Sequence, residues 1–471
     1  MKRFVGRQRE LAILREQQKK QGSSLVVIKG RRRIGKSRLA HEFSHNFDRA
    51  LLFTGLPPRP NISAKKEQEE FELQLYRYKI PVLRTGDWGD LFWSLAESCK
   101  QGSVLIVLDE ISWMGSKDPD FLGKLKIIWD QYFSQNPKLM LILSGSHSTW
   151  IEQNIISSTG FLGRISRIMD LKELPLEDCH AFWDGQIQVS PYEIFKVLGI
   201  TGGIPRYLEE IQPRLTAEEN IRRLCFQPEG LLFNEFDQIF SDLFSRRNAV
   251  YKQIVKKLVD GPKSLIEIAK TLNKQKSGDL SSYMDDLCQT GFLSRDFTWN
   301  LQKGQESKLS RYRLSDNYVR FYLKYIDPNK RKIKNQEIIH LPHNWLSIMG
   351  LQFENLVINN RLKLYKLLNV PPNEVVAANP FFQSKTVRQQ GCQIDFLIQT
   401  RYKTLYLCEI KFSSSEIPAH IIPEVKKKVE KLCTPKGFSI RPVLIHVNGV
   451  ADSVIQQGYF AEIVNFSALI N

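Results

Sequence analysis

The first part of the chain alternates short apolar runs with helical stretches. Four runs of strand length are apolar almost throughout, and they are Leu25–Lys29, Leu51–Thr54, Val104–Leu108 and Leu139–Ser144. The clearest helical stretches between them are Trp88–Lys100 and Phe121–Phe133. Because runs that are apolar throughout suit strands covered on both faces, residues 1–175 predict a parallel sheet between helices.

The pattern changes after residue 175. Residues 176–244 predict helices, with a break at Thr201–Pro205. Residues 245–335 predict three short helices and a hairpin, and they end in a basic, Pro-containing stretch at Ile326–Asn335 that is typical of a hinge. Residues 336–471 predict a helix and several strands, with a basic helix near Pro423–Leu432. The chain therefore divides into four predicted segments, the last of which is a second α/β unit.

Composition narrows the class of protein. The chain has 471 residues, with 67 Lys and Arg against 50 Asp and Glu, for a net charge of +17. No apolar run approaches the roughly 18–20 residues of a membrane helix, and Met1–Phe4 leads into a charged helix rather than a signal core. Seven cysteines without a C-x-x-C pair favour buried thiols over zinc or disulfides. We therefore expect a cytoplasmic protein with no membrane partner.

The positive charge is concentrated in one predicted segment. Residues 245–335 carry 20 Lys and Arg against 9 Asp and Glu, a net of +11. A second cluster, Lys426–Lys428 with Lys431, lies near the C-terminus. A single basic run is as well explained by a solvated helix face. Concentration within one segment favours a nucleic acid or another polyanion as partner.

A phosphate-binding loop follows the first predicted strand. Residues Gly30 to Ser37 fit G-x-x-x-x-G-K-[ST] at every fixed position, and Arg38–Asn46 is a good helix candidate. Glycines allow the backbone to curl so that its N–H groups and the helix N-terminus face phosphates. Lys36 is expected to reach the β- and γ-phosphates of ATP, and the Ser37 hydroxyl to bind Mg²⁺.

Two acids support this assignment. Asp109 and Glu110 follow the apolar run Val104–Leu108. The carboxyl end of a parallel strand is where ligands bind in sheets of this type. We expect Asp109 to hold Mg²⁺ through water and Glu110 to polarise the attacking water.

Further motifs before and after the phosphate loop accompany it along residues 1–240. Phe4–Leu11, Leu143–Ser146, Gly163–Arg164 and Gly202–Tyr207 accompany the Arg-rich loop and Leu108–Glu110. Residues 1–240 thereby resemble the AAA+/STAND-related ATPases of archaea and bacteria. The resemblance implies nucleotide contacts at Gly6, Arg7, Gly30, Arg31, Arg32, Arg33, Ile34, Gly35, Lys36, Ser37, Arg38, Ser144, Ser146, Pro205 and Arg206.

The same resemblance implies individual roles. Gly6 and Arg7 would lie near the adenine, and Ser144 or Ser146 would take the sensor place, where many relatives have Asn. Arg206 would read the nucleotide state from a helical lid, and Arg164 would be an arginine finger. A finger supplied in trans requires a homo-oligomer. A surface arginine in a salt bridge has the same appearance in sequence, so both arginine roles remain open.

Three helices and a hairpin in residues 245–335 predict a winged helix. The third helix, Ser281–Thr290, carries Asp285 and Asp286, which suit a DNA groove poorly. Sequence-independent phosphate contact is therefore expected, most simply with DNA, through Lys270, Lys274, Lys276, Arg311, Arg313, Arg320 and Lys330–Lys332. The alternative is a winged helix that serves as a protein-contact spacer.

Charged residues also interrupt apolar strands near the C-terminus. Asp395 lies in one such strand, and Glu409 and Lys411 lie two positions apart in the next, on one face. Buried charges are costly unless they bind something. Asp395 and Glu409 are suited to a divalent metal, and Lys411 to orienting water or stabilising charge on a phosphate.

The order helix Glu354, strand Asp395, strand Glu409-x-Lys411 and basic helix resembles the PD-(D/E)XK restriction-endonuclease-like fold, with Ile394 where the motif has Pro. The resemblance implies an active centre of Glu354, Asp395, Glu409 and Lys411, with Mg²⁺ or Mn²⁺ as a second metal. The alternative is an inactive scaffold or a partner-docking domain that keeps the pattern.

The sequence thus predicts an α/β multidomain protein. Its parts are a P-loop NTPase parallel sheet (1–175), a helical lid (176–244), a basic winged-helix domain with a hinge (245–335) and a C-terminal α/β restriction-endonuclease-like domain (336–471). We expect an ATPase whose nucleotide state is coupled to nucleic-acid binding and to a metal-dependent nuclease-like domain. The alternative is a non-nucleolytic nucleotide-dependent switch whose C-terminal domains bind a protein partner.

Overall fold

The computed structural model describes residues 3–57, 62–82, 87–146, 148–183, 188–244, 248–272, 278–387 and 389–470. The chain folds into two compact units. The N-terminal unit comprises Met1–Leu174 and Ile204–Arg206, and the C-terminal unit comprises Pro175–Gly203 and Tyr207–Asn471. The three predicted segments after residue 175 therefore contribute most of their residues to one unit.

A five-stranded sheet forms the centre of the N-terminal unit. Its strands are β1 (Ser24–Lys29), β2 (Arg49–Thr54), β3 (Val104–Asp109), β4 (Leu139–Gly145) and β5 (Ile165–Asp170). They lie in the order β2-β3-β4-β1-β5, and every pair is parallel. The four predicted strands are confirmed. The sequence analysis missed β5 because this edge strand includes Ser166 and Arg167 and has no continuous apolar run.

The helices of this unit bury apolar side chains against the sheet. They are α1 (Gln8–Gln18), α2 (Lys36–Ser44), α3 (Ala64–Arg77), α4 (Trp88–Glu97), α5 (Ile111–Gly115), α6 (Phe121–Gln131) and α7 (Ser148–Ile151). Phe71, Phe92 and Leu125 of α3, α4 and α6 share one core with Leu25 and Ile106 of the sheet. The burial of this apolar surface is what holds β1, β3 and β4, and hence the residues that follow them, in place.

The C-terminal unit begins with mostly helical segments. They are α8 (Leu176–Cys179), α9 (Pro191–Thr201), α10 (Pro205–Leu208), which starts in the N-terminal unit, α11 (Ala217–Cys225), α12 (Leu231–Phe244), α13 (Asn248–Lys256), α14 (Leu265–Thr271) and α15 (Gly278–Gln289). Ser264 and Glu267 form a capping box that starts α14. A hairpin of β6 (Leu293–Trp299) and β7 (Glu306–Leu314) follows, as the sequence predicts.

A second five-stranded sheet completes this unit. Its strands are β8 (Val375–Gln383), β9 (Cys392–Thr400), β10 (Thr404–Ile410), β11 (Ser439–His446) and β12 (Glu462–Asn465), and the helices around it are α16 (Asn317–Phe321), α17 (Lys330–Lys334), α18 (Met349–Asn359), α19 (Arg361–Leu367), α20 (Ile421–Lys431) and α21 (Asp452–Gln456). The order is β12-β11-β10-β9-β8. β8, β9 and β10 pair antiparallel, whereas β10, β11 and β12 pair parallel. Helix α20 connects β10 to its parallel neighbour β11.

The hairpin packs into the core of this sheet. The Trp299 indole N–H donates to Gln399 Oε1 at 2.6 Å, and Gln399 Nε2 donates to the Leu301 carbonyl at 2.9 Å. Trp299 and Leu301 belong to one apolar cluster with residues of β8, β9 and β10. The predicted middle and C-terminal segments therefore share a core.

The predicted hinge at Ile326–Asn335 is wrong in its local structure. The stretch is helical, through a 3₁₀ turn at Asp327–Asn329 and then α17. Ile326 and Ile333 are fully buried, and Lys330 forms an ion pair with Asp237. Packing of these two apolar side chains, which the basic composition obscures, makes the stretch part of the fold.

In the part of the chain that the structure describes, no helix is long and apolar enough to cross a membrane. Five of the seven cysteines are buried, whereas Cys288 is half-buried and Cys433 is exposed.

Candidate functional site

The predicted phosphate loop joins β1 to α2 in a tight curve. Gly30 has φ +150°, and a Cβ at this position would lie 2.6 Å from the Leu171 carbonyl oxygen, so a larger residue cannot fit. Gly35 (φ 92°) caps α2, and Arg33 (φ 70°) is also left-handed. Strained backbone of this kind concentrates at ligand sites. The N-terminus of the nine-residue helix α2 follows the loop directly, as anion binding requires.

Lys36 is buried inside this loop. Its Nζ donates to the carbonyl oxygens of Gly30 and Arg31, at 3.0 Å in each case. Burial lowers the pKa of Lys36, although the charges of Glu110 and Asp109 oppose this shift. The ammonium group is thus held by neutral acceptors, and a phosphate oxygen would be a stronger partner than either carbonyl.

The two predicted acids lie at the carboxyl end of β3, beside the loop. Asp109 Oδ2 accepts a hydrogen bond from Ser37 Oγ and Oδ1 accepts one from Ser144 Oγ, both at 2.5 Å. The exposed Ser37 hydroxyl and the Asp109 carboxylate converge, and this donor set of hard oxygens fits Mg²⁺. The residues present therefore fit a Mg²⁺-bound nucleotide.

Glu110 has a separate set of partners. Its backbone is left-handed (φ 50°), which turns the side chain away from the strand direction at the start of α5. Glu110 Oε2 accepts hydrogen bonds from the Ser146 backbone N–H at 3.0 Å and from Ser146 Oγ at 2.9 Å. Ser144 and Ser146 therefore each hold one acid in place, and the sensor role of either serine stays a prediction.

Arg7 braces the outside of the loop. Its Nη2 donates to the carbonyl oxygens of Ile34 at 3.0 Å and Lys172 at 2.6 Å, and its Nη1 forms an ion pair with Glu10. Gly6 and Arg7 both have positive φ. The side chain of Arg7 thus fixes the loop that follows β1, and adenine contact by Gly6 or Arg7 stays a prediction.

The other predicted arginines lie in different settings. Arg31 faces Glu173 at 3.7 Å, and Arg32, Arg33 and Arg38 are half-buried around the loop. Arg164 binds Asp130 through two hydrogen bonds of 2.6 and 2.8 Å. Within one chain Arg164 is therefore a surface ion-pair residue, the alternative that the sequence left open.

Pro205 lies beside the loop. A Cβ at Gly35 would be 3.8 Å from Pro205 Cγ. Ile204–Arg206 belongs to the N-terminal unit, although the residues on both sides belong to the C-terminal unit. The predicted lid, residues 176–244, is thus interrupted by three residues that pack with the ATPase core.

A second cluster of charged side chains lies in the C-terminal unit. Asp395 of β9 and Glu409 of β10 are both withdrawn from solvent. Lys428 Nζ of α20 is 2.6 Å from Glu409 Oε2 and 3.2 Å from Asp395 Oδ1. Lys411 Nζ is 3.0 Å from Glu409 Oε1. Two carboxylates and two ammonium groups therefore meet at one place. The residues that supply them lie within 33 positions of one another in the chain.

The sequence analysis places Lys428 in the basic helix near the C-terminus but gives it no role in the site. A signal for it exists in the helical periodicity. Ile421, Val425 and Leu432 are buried, and Lys428 lies three and four positions from the last two, on the same face. Lys427 is one position away and is exposed. A lysine on the apolar face of a helix indicates a buried partner of opposite charge.

The cluster perturbs the ionisation of its members. Burial raises the pKa of Asp395, and the charge of Glu409 adds to this. Burial and then the charge of Asp395 raise the pKa of Glu354 to about 7. Burial opposes the charge on Lys428 and Lys411, but the nearby carboxylates outweigh it and raise the pKa of both lysines. The negative charges of the two carboxylates and the positive charges of the two lysines thus stabilise one another.

The predicted three-carboxylate metal site does not form as such. Among the residues that the structure describes, no group of three or more His, Cys, Asp or Glu side chains is placed to hold a metal. Asp395 and Glu409 converge on a cation, and Glu354 is not gathered with them into a three-ligand set. Two carboxylates that already bracket a positive charge fit Mg²⁺ or Mn²⁺, which take one or two carboxylates together with water and phosphate.

Two of the arginines predicted to contact phosphate are buried. Arg313 is paired with Asp296 at 2.7 Å, and both side chains are no more than 5% exposed. Arg320 is 1% exposed and donates to the Leu314 carbonyl. Their assignment to nucleic-acid contact is therefore wrong, because a guanidinium buried inside the fold cannot reach a phosphate.

The remaining cations of this segment are mostly accessible. Lys270, Arg331 and Lys332 are exposed, and Arg311 is half-buried over the Phe382 ring. Lys274 and Lys276 lie outside the described residues. The surviving positive surface is smaller than the sequence count suggests.

The parallel sheet and the geometry of the phosphate loop define a P-loop NTPase. Residues 22–174 match a family model described as an AAA domain. The protein is therefore an ATPase of the P-loop class, and this agrees with the expectation from the loop.

Two further similarities extend beyond this domain. The chain is 25% identical over 371 residues to the uncharacterized protein MJECL04 of Methanocaldococcus jannaschii, which covers 78% of this chain and 79% of that protein. The structure is also similar to the Walker-type ATPase PABY2304 of Pyrococcus abyssi, with a TM-score of 0.51 and 17% identity, over 68% of this chain and 96% of the other. At that identity the similarity concerns the fold alone.

Proposed function

We propose that this ATPase couples its nucleotide state to a metal-dependent nuclease-like centre in the C-terminal unit, and that the exposed cations of residues 245–335 bind a nucleic acid. The observation that carries the proposal is the meeting of Asp395, Glu409 and Lys411 at one buried place. Desolvation of these charges is costly, and a ligand bound by the site would help to compensate for that cost.

In the N-terminal unit, the bound Mg²⁺–ATP supplies a transferable γ-phosphoryl group. Lys36 would exchange its two carbonyl acceptors for phosphate oxygens, and Ser37 and Asp109 would hold the metal. Glu110 orients and polarises the attacking water, while Ser146 fixes its carboxylate. Arg164 contributes to this reaction only in a homo-oligomer, where it must leave Asp130.

In the C-terminal unit, the element order α18, β8, β9, β10, α20, β11 supports the restriction-endonuclease-like assignment. Asp395 and Glu409 would hold the metal, which supplies Lewis-acid activation of a phosphodiester and its attacking water. Lys411, 38% exposed, is placed to orient water or to neutralise charge on the phosphate. Burial and the charge of Asp395 raise the pKa of Glu354 to about 7, so this carboxyl group is only partly ionised near neutral pH.

The middle of the chain supports nucleic-acid binding without sequence readout. Helices α13, α14 and α15 followed by the β6–β7 hairpin have the order of a winged helix. Lys270, Arg331 and Lys332 offer accessible positive charge, which suits phosphate contacts on DNA. Binding of this kind weakens steeply with added salt, and affinity that ignores salt would contradict the proposal.

The chain path supports coupling between the two units. Helix α9 ends three residues before Ile204–Arg206, the segment that packs with the ATPase core. At its other end, Tyr192 stacks on Phe412, with ring centroids 5.1 Å apart. Phe412 is the residue after Lys411. A movement of Pro205 with the phosphate loop would therefore act on a helix that contacts Phe412, two residues after the end of β10.

The decisive experiment is a nuclease assay on defined DNA and RNA with Mg²⁺ or Mn²⁺, with and without ATP. We expect cleavage of DNA that Asp395→Asn abolishes, whereas Asp452→Asn, a change to an exposed Asp of the same unit, leaves it intact. Absence of cleavage in every nucleotide state, together with absence of Mn²⁺ binding, would overturn the nuclease assignment.

One observation favours a second function. Both carboxylates of the cluster are already neutralised by Lys411 and Lys428, as in a centre that serves only to stabilise the unit. The protein would then be a nucleotide-dependent switch whose C-terminal unit binds a protein partner. In that case ATP turnover persists, and neither metal binding nor cleavage is observed.

A further inference from the structure

The ammonium group of Lys428 occupies the space between the two acids. It lies 2.6 Å from Glu409 Oε2 and 3.2 Å from Asp395 Oδ1. The other oxygens of these acids face elsewhere, since Asp395 Oδ2 accepts the Ile410 N–H at 3.0 Å and Glu409 Oε1 faces Lys411. The two oxygens that bind Lys428 are therefore the pair through which Asp395 and Glu409 can share a single cation.

The packing of helix α20 places Lys428 between Asp395 and Glu409 and directs its neighbours Lys426 and Lys427 elsewhere. Helix α20 packs on β9 with Ile421, Ile422 and Val425 buried, and this places Lys428 on the inner face. Lys427 points to solvent, and Lys426 lies over the Tyr459 ring. Lys411 contacts only Glu409 of the central pair and reaches outward to Glu424 at 3.7 Å. Among the lysines of the described residues, Lys428 is the one that forms ion pairs with both acids.

We propose that Lys428 is an internal counter-cation of this site, and that a divalent metal binds Asp395 and Glu409 only by displacing its ammonium group. The inference rests on the proposed function, because it takes these two acids as metal ligands. Two cations cannot occupy the same position between these two oxygens, and a metal bound beside the ammonium group would be strongly repelled by it. The lysine therefore keeps the buried acids compensated before metal arrives and lowers the affinity of the site for metal.

The test is calorimetric titration of Mn²⁺ into the full-length protein without nucleotide. We expect Lys428→Met to bind Mn²⁺ roughly tenfold more tightly than the wild-type chain, or more, because the competing charge is gone. Lys427→Met, an adjacent and exposed lysine on the same helix, should leave the affinity unchanged. Asp395→Asn identifies the heat that belongs to this site.

The outcomes distinguish a failure of the metal site itself from a failure of the role proposed for Lys428. If no variant binds Mn²⁺ in a manner that depends on Asp395, the metal site of the proposed function fails and this inference fails with it. If the wild-type chain binds Mn²⁺ through Asp395 but Lys428→Met binds no more tightly, the metal site stands and the inference is overturned. Binding by Lys428→Met alone would support the inference, since the lysine would then block the site completely.

A second measurement needs no variant, in case Lys428→Met does not fold. An amine-acylating reagent is applied to the wild-type chain at one pH with and without Mn²⁺, and the labelled lysines are quantified by mass spectrometry. We expect Mn²⁺ to increase labelling of Lys428, because displacement exposes its amine, and to leave Lys427 unchanged. Equal labelling of Lys428 under both conditions, at a Mn²⁺ concentration that saturates the site, would overturn the proposal.

Discussion

Lys36 and Lys428 are both partly or fully withdrawn from solvent beside two acids, yet their ammonium groups have different partners. Lys36 donates to two backbone carbonyls, and Asp109 and Glu110 receive hydroxyl and amide donors instead. Lys428 donates directly to Asp395 and Glu409. Burial accordingly lowers the pKa of Lys36, whereas the carboxylates raise the pKa of Lys428.

The difference indicates what each site is built to receive. A lysine held by neutral carbonyls loses little when an anionic phosphate arrives, since charge-assisted hydrogen bonds are stronger than neutral ones. A lysine held by two buried carboxylates is already compensated, and a ligand must either compete with it or replace it. The N-terminal site is therefore open to an anion, whereas the carboxylates of the C-terminal cluster are already compensated by Lys428.

The largest effect is expected from Lys36→Ala, which removes the cation of the open site. We expect ATP turnover to fall about 1000-fold, because this ammonium neutralises charge on the phosphates during transfer. Turnover and binding of a fluorescent ATP analogue are the measurements. Lys65→Ala, a change to an exposed lysine of the same unit, is the matched control. Turnover that persists in Lys36→Ala would contradict the assignment of Lys36 to phosphate binding.

A smaller effect is expected at the buried ion pair of Arg313 and Asp296 in the C-terminal unit, which no ligand can reach. Arg313→Ala leaves Asp296 buried without its cation, and we expect a loss of about 3 kcal/mol in the free energy of unfolding. Chemical denaturation measures it. Lys308→Ala, exposed on the same hairpin, should change stability by less than about 0.5 kcal/mol. Unchanged stability with weaker DNA binding in Arg313→Ala would show that this arginine faces the nucleic acid after all.

The smallest effect concerns a buried acid with no counter-cation in its hydrogen bonds. Glu67 Oε2 accepts the Leu56 N–H, and Oε1 has no hydrogen-bond partner among the described residues. Burial raises the pKa of Glu67 to about 7 from an ordinary value of 4.5. Between these values the folded chain holds a proton that the unfolded chain releases, so the contribution of Glu67 to stability falls as pH rises from 4.5 to about 7.

Glu67→Gln removes this titration. The quantity to compare is the melting temperature of the variant minus that of the wild-type chain. We expect this difference to be about 2–4 °C larger at pH 8 than at pH 4.5. Thermal melts at the two pH values measure it, and Glu69→Gln, an exposed acid on the same helix, serves as control. A difference between variant and wild type that is the same at both pH values would contradict the raised pKa.

Much of the N-terminal site could be predicted because its chemistry is local in sequence. The loop from Gly30 to Ser37 and the pair Asp109–Glu110 each lie within a few residues, directly after strands that are apolar throughout. Strand β5 could not be predicted in this way, since an edge strand needs no apolar run. Likewise the roles of Ser144 and Ser146 as partners of Asp109 and Glu110 depend on the pairing of β3 with β4.

The sequence by itself determined the phosphate loop, the class of ATPase, and the candidates Asp395, Glu409 and Lys411, because spacing along a loop or strand dictates which side chains share a place. Only the tertiary structure decided which cations are free. Arg313 and Arg320 are buried in the fold and Lys428 lies between two acids. Composition counts a charge without its surroundings, whereas burial and partners, which depend on residues far apart in the chain, determine whether that charge can meet a ligand.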